Sequence, residues 1–253
     1  VPCAPHGRSR RTAVRQERKP GVNDPMPIPA LLTGLQLTDS AFPSGYYTLS
    51  HGLEGFQQAR AVTPRTLPAL LNDLLRHSAG PADATALALT HRAVGADDWD
   101  EVVAVERRLH ATKLGREARQ AAVRTGRQLL DLAGEVYGTA PIERYRTLYR
   151  DGAVRGCQPV VAGVVHAGNG LTVRQAVTCE LFAFAASFVG AALRLRLTDH
   201  RRAQVVLHGA APVIEETVEA ALHRELADLG GCVPVADVMA GRHERAEARL
   251  FAS

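Results

Sequence analysis

No two of the four cysteines form a C-x-x-C pair: Cys3, Cys157, Cys179 and Cys232 stand far apart. That spacing argues against a zinc ribbon and a small disulfide framework, and it fits a reducing cytoplasm. No G-x-x-x-x-G-K-[ST] run occurs, so a P-loop nucleotide site is excluded. Gly168-Asn169-Gly170 lacks that context and reads as a turn. Ten histidines are present, but no H-E-x-x-H or H-x-x-x-H pair holds two of them at metal-ligand spacing. Ser44 sits in Pro-Ser-Gly, which is not a G-x-S-x-G nucleophile elbow. The longest uncharged apolar run, Leu181 to Leu193, has 13 residues. A bilayer span needs about 20, so the run reads as a core helix rather than a membrane anchor. The first residues hold no apolar stretch of the secretory kind.

What is present is a chain of 253 residues with 46% hydrophobic content, enough for a sizeable core in one large domain or two small ones. The net charge of +4 suggests a polyanion partner until the charge is located. Residues 1–25 hold Arg8, Arg10, Arg11, Arg15, Arg18 and Lys19 against Glu17 and Asp24; without them the chain holds 24 basic and 24 acidic residues. The basic balance therefore belongs to a tail, residues 1–28, expected to be disordered rather than a nucleic-acid site. Met26 just before the first structured segment makes residues 1–25 a candidate over-extended start.

Helical periodicity recurs along the rest. Leu67, Leu70, Leu71, Leu74 and Leu75 share one helix face. Trp99, Val102, Val103 and Leu109 do so behind Asp97 and Asp98, acids placed for a helix start. Leu114 to Val136 is long, charged and rich in helix formers. Thr172-x-x-Gln175 is a capping box that opens an alanine-rich helix, read as central and packed on all sides. Ile214, Val218, Leu222, Leu226 and Leu229 line a further helix, ending at Gly230-Gly231. Breaks are expected at Pro43-Ser44-Gly45, Thr63-Pro64, Gly80-Pro81, Gly138 to Pro141, Gly168 to Gly170 and Pro212. Only Val160 to His166 has a β-branched run, and a lone strand has no partner, so it too reads as a core helix. The expected fold is all-α, a multi-helix bundle over residues 29–234, followed by a flexible segment, 235–253.

Chemistry read from residues alone stays thin. Asp39, Ser40, Ser50, His51 and Glu54 are densely polar, yet helix capping and turn formation account for them. His200 and His208 could share a helix face, and chance surface placement explains that equally. Arg116, Glu117, Arg119, Arg124 and Arg127 make a charged helix, ordinarily a solvated face.

Three stretches say more. Asp39 to Glu54 contains Ser40, Pro43, Gly45, Tyr47, Ser50, Gly52, Leu53 and Glu54. Its order resembles the S-x-x-P-x-G-x-(F/Y)-x-x-S-x-G-L-E signature of the urease accessory family UreF. Pro43 and Gly45 would make a sharp turn, Ser44 would cap the next helix, and Gly52 would permit close packing. Arg116-Glu117-Ala118-Arg119 with Gly126-Arg127 is similar to the family's R-E-x-R and G-R helix, with Ala122 where serine is common. Asp237, Met239, Arg242-His243-Glu244 and Arg249-Leu250-Phe251-Ala252-Ser253 resemble its closing segment, which ends R-L-F-x-S. A weaker likeness departs at Arg194 to Gln204, which lacks the proline and both glycines of R-L-x-P-L-G-Q-x-x-G-Q.

The resemblance implies a non-catalytic, all-helical, dimerising scaffold in the cytoplasm. It implies binding of UreD (UreH), recruitment of the UreG GTPase and delivery of nickel to apo-urease, with nickel and GTP handled by the complex rather than bound here. It implies no nucleic-acid or membrane partner. The partner-binding residues it suggests are Asp39, Ser40, Pro43, Gly45, Ser50, Gly52 and Glu54; Arg116, Arg119 and Arg127; and His243, Glu244, Arg249, Leu250, Phe251 and Ser253. Two other classes fit the same residues. One is a helical GTPase regulator unrelated to urease; the other is a metal enzyme using His51, Glu54, His200 or His208.

Overall fold

The computed structural model describes residues 27–251. Twelve α-helices are found among these residues. They are α1 Ile28–Thr38, α2 Leu53–Gln58, α3 Leu67–Leu74, α4 Thr85–Gly95, α5 Trp99–Thr112 and α6 Arg116–Val136. Then follow α7 Ala140–Arg150, α8 Gln158–Gly168, α9 Val173–Arg194, α10 His200–Gly209, α11 Ala211–His223 and α12 Pro234–His243. No strand occurs among the described residues, which agrees with the all-α expectation. Residues 1–26 of the expected tail lie outside them, while Ile28 already belongs to α1.

The centre is α8, which packs against α4, α6, α7 and α9. Val160, Val161, Val164 and Val165 are all fully buried. A β-branched residue loses only a few tenths of a kcal/mol in helix propensity. Burying each side chain contributes about 1.5–3 kcal/mol, so packing decides the conformation. Gly126 on α6 allows the closest approach to this centre. A Cβ there would lie 2.0 Å from the Gly156 carbonyl oxygen and 2.6 Å from the Gln158 nitrogen.

Local signals hold at several ends. Asp98 Oδ1 accepts from the Glu101 amide at 3.0 Å. Thr172 and Gln175 form both halves of the capping box, the Gln175 amide donating to Thr172 Oγ1 and the Thr172 amide to Gln175 Oε1.

Three expectations are corrected. Gly80-Pro81 does not break the chain: a π-helical stretch, Leu75–Ala84, joins α3 to α4 through the proline. The wider turn accommodates the missing N–H, Thr85 Oγ1 donates to the Gly80 carbonyl at 3.0 Å, and the Gly230 amide donates to the Pro81 carbonyl at 3.0 Å. Helix α11 ends at His223 rather than Leu229. There the guanidinium of Arg92 donates to the carbonyls of Leu222 (2.8 Å) and Arg224 (3.0 Å), and Arg224 turns extended. Leu229 still reaches the core, after a short 3-10 turn at Leu226–Asp228. Finally, α9 is not covered on all sides: Phe182 is exposed, and Ala183, Ala186 and Gly190 are half-buried. By length and composition α9 could cross a membrane, but most of it is buried against other helices.

Candidate functional site

The Asp39–Glu54 stretch folds as two turns around a short 3-10 helix, Tyr46–Thr48. Asp39 ends α1, and its Oδ1 accepts from the Ala41 amide at 2.9 Å. Ser40 is exposed beside it. Gly45 takes φ +86°, a region that strains other residues, and it lies against Thr125 and Gln128 of α6. Gln128 Nε2 donates to the Pro43 carbonyl, which ties this turn to α6. Ser44 makes no capping bond, contrary to expectation; left-handed Gly45 occupies the cap position.

Gly52 is needed for its φ of +84° at the start of α2, not for close packing, since a Cβ there would meet open space. The close approach belongs to Gly55, where a Cβ would lie 2.6 Å from the Met239 carbonyl of α12. Ser50 is buried, and its Oγ accepts from the Glu54 amide at 3.4 Å.

Glu54 is therefore carried inward under α12. Its Oε2 accepts from His243 Nε2 (2.9 Å) and from the Phe251 amide (2.9 Å). Its Oε1 accepts from the Leu250 amide (2.8 Å) and, more loosely, from Gln58 Nε2 (3.5 Å). His243 is only 1% exposed and meets Glu117 Oε2 at 3.0 Å with its other nitrogen, Nδ1. Both ring nitrogens of His243 thus lie against carboxylate oxygens, one from α2 and one from α6. Arg249 pairs with Glu117, and Arg116 pairs with Glu244 at 2.5 Å.

Residues from all three sequence stretches thus meet in one network. Glu117 is the member missed by sequence reasoning; its signal was a carboxylate set between Arg116 and Arg119.

The C-terminal segment is ordered on its own domain rather than extended away from it. Phe251 is 5% exposed, under the guanidinium of Arg194, whose carbon lies 4.3 Å from its ring centre. The same guanidinium stacks on Tyr47 at 3.8 Å and donates to the Tyr47 carbonyl. Leu250, by contrast, is 65% exposed. The two apolar residues of R-L-F therefore face opposite ways: one holds the segment down and the other is presented. Ser253 lies outside the described residues.

Behind this surface is a buried polar cluster that leaves little mark in the sequence pattern. Tyr46 Oη donates to Glu180 Oε1 at 2.5 Å, and Gln158 Nε2 donates to Glu180 Oε2 at 3.1 Å. Burial raises the Glu180 carboxyl, and the two hydrogen bonds lower it in part. His51 is nearby, its ring 4.3 Å from that of Phe184, and Nε2 has no partner among the described residues. Burial, then the charge of Lys113, pushes its imidazole down to about 3.

The UreF family model matches residues 62–211. The urease accessory protein UreF of Trichodesmium erythraeum is 31% identical over 223 residues, covering 87% of this chain and 95% of that protein. The UreF proteins of Yersinia enterocolitica and Yersinia pestis are each 30% identical, over 225 and 224 residues, covering 88% of this chain and 98% of theirs. The chain belongs to the UreF family.

Several of the UreF-like motif residues are structural in this chain. Arg119 donates to the carbonyls of Lys113 (2.6 Å) and Leu114 (2.8 Å), which fixes the entry to α6. Arg127 stacks over Tyr149 at 5.3 Å. Neither touches the Glu54 network. His200 and His208 are exposed on α10, apart from half-buried His51 and buried Glu54. Among the described residues no three His, Cys, Asp or Glu side chains are grouped to hold a metal ion.

Proposed function

We propose that this UreF-family chain is a non-catalytic scaffold in urease maturation. It binds UreD (UreH), recruits the UreG GTPase, and supports GTP-dependent delivery of nickel, as cargo of the assembly, to apo-urease in the cytoplasm. The observation that carries this reading is the convergence of Glu54, Arg116, His243, Glu244, Arg249 and Phe251 in one network, with Leu250 presented outward. A family signature spread over the chain becomes one surface with an apolar side chain at its rim, which suits a docking element. The turn at Asp39, Ser40, Pro43 and Gly45 connects to that surface through Tyr47, which stacks on the Arg194 guanidinium that covers Phe251. Self-association is part of the proposal: Ile28, Leu31, Leu32 and Leu35 of α1 and Phe182 of α9 supply exposed apolar side chains for it.

The test is co-expression with UreD and UreG of the same host, size-exclusion chromatography, and activation of apo-urease by nickel. Co-elution, with activation lost when this chain is omitted, supports the scaffold. Failure to associate with either protein would sink it.

A further inference from the structure

A groove of about 620 Å³ runs along the outer face of α6 and meets the Glu54 network only at Arg116. Arg116, Arg119, Arg124, Arg127, His110 and Gln120 line it, and no carboxylate does. Burial, then the charges of Arg155 and Arg119, hold the His110 imidazole below its ordinary range, opposed in part by Glu106.

Three of the arginines are oriented by contacts that leave donors free. Arg116 uses Nε for Glu244, Arg119 uses one terminal nitrogen for two carbonyls, and Arg127 offers its face to Tyr149. A guanidinium has five N–H donors, so most remain for a ligand. Arg124 is exposed and has no hydrogen bond or ion pair among the described residues. Arg116 is offset by Glu244, whereas Arg119, Arg124 and Arg127 form no ion pair among the described residues, so positive charge is concentrated along the groove.

We infer that this groove docks an extended acidic segment of a partner protein, with carboxylates at alternate positions. Arg116 to Arg127 spans about 16 Å of helix axis, the length of roughly five extended residues. Side chains on one side of such a segment recur about every 7 Å, close to the rise of about 7.5 Å from Arg119 to Arg124; Arg116 and Arg127 lie about 4.5 Å beyond these two along the axis. The bidentate match between guanidinium and carboxylate supplies the specificity. The inference rests on the scaffold reading only for which protein carries the segment.

The test is fluorescence anisotropy of the full chain with a labelled peptide of alternating glutamate and glycine. A peptide of the same composition with its glutamates in one block is the control. The alternating peptide is expected to bind more tightly than the block, and more weakly as salt rises. Arg124→Glu with Arg127→Glu should weaken it about tenfold or more, with an unchanged helical circular dichroism spectrum. Arg124→Glu alone touches no packed contact and should weaken it by a smaller factor. Unchanged affinity in both variants overturns the inference. Displacement by inorganic phosphate at equal charge overturns it too, by making the groove a small-anion site. The peptide measurement uses no urease partner. Loss of assembly with UreD and UreG in the unmodified chain would therefore count against the scaffold reading alone.

Discussion

Two buried carboxylates in this molecule have nearly the same donors and opposite settings. Glu106 accepts from Tyr145 Oη (3.0 Å) and from the amides of Arg155 (3.1 Å) and Cys157 (2.9 Å). Glu54 accepts from His243 Nε2 and from the amides of Leu250 and Phe251. The amides held by Glu106 lie in the loop that feeds α8, so the chain is anchored in the core on both sides. Those held by Glu54 lie in the irregular segment that follows α12. The same local chemistry is a staple in the first case and a latch in the second. What differs is how much else must move when the bonds are lost.

The largest effect should come from breaking the staple. Glu106→Ala leaves two amides and a tyrosine hydroxyl without their acceptor at the centre of the fold. Each orphaned group costs about 1–3 kcal/mol, so a global loss of roughly 3–5 kcal/mol is expected in urea unfolding. The latch should respond differently. Glu54→Ala should cost about 1–2 kcal/mol globally, because the segment can swing into water and solvate its amides. Its signature is local: faster hydrogen exchange at residues 244–251 and earlier proteolytic trimming of the C-terminus. Equal global losses for the two variants would erase the distinction between staple and latch.

Acid sharpens the comparison from the core side. Burial, then the charge of His91, pushes His166 down to about 3, and its Nδ1 has no partner among the described residues. Unfolding returns the imidazole to its ordinary value near 6.5. The unfolded chain therefore binds the proton first. His166 leaves stability intact above about pH 6.5 and removes it as pH falls toward 3. His51 acts in the same direction and window. His166→Phe should remove about one proton from the slope, roughly 1.4 kcal/mol per pH unit near pH 5. Urea midpoints of both proteins at pH 5 and pH 7 measure it. An unchanged difference between the two pH values would show that His166 is not buried neutral.

The fold was more legible than the site, for physical reasons. Periodicity and caps report the local balance that makes a helix, so α3, α5, α6 and α9 could be read directly. Pro81 was misread because whether a proline breaks a helix depends on what satisfies the carbonyls around it, here Thr85 and Gly230, one of them distant in sequence. The end of α11 was misread for the same reason, since Arg92 fixes it from another helix. At the site, the motif residues were visible as types, but the pairing of Glu54 with His243 spans most of the chain. Glu117 looked like one charge on a solvated face, because burial under α12 leaves no mark on α6 itself. Phe251 and Leu250, adjacent and both apolar, could not be told apart until Arg194 was seen to cover one of them.

That last pair gives the smallest effect on stability and the finest test of the latch. Leu250 is mostly exposed, so Leu250→Ser should change stability by no more than about 0.5 kcal/mol. Phe251 fills the space between Arg194 and the core, so Phe251→Ala should loosen the segment measurably while leaving the domain folded. On the scaffold reading both variants weaken assembly with UreD and UreG, but by different routes. Leu250→Ser removes a contact and leaves hydrogen exchange at residues 244–251 unchanged. Phe251→Ala removes order and raises that exchange. Were Leu250→Ser to assemble with full affinity while Phe251→Ala failed, the segment would act by holding its own domain in shape, and the docking surface would have to lie on the Asp39–Gly45 turn instead.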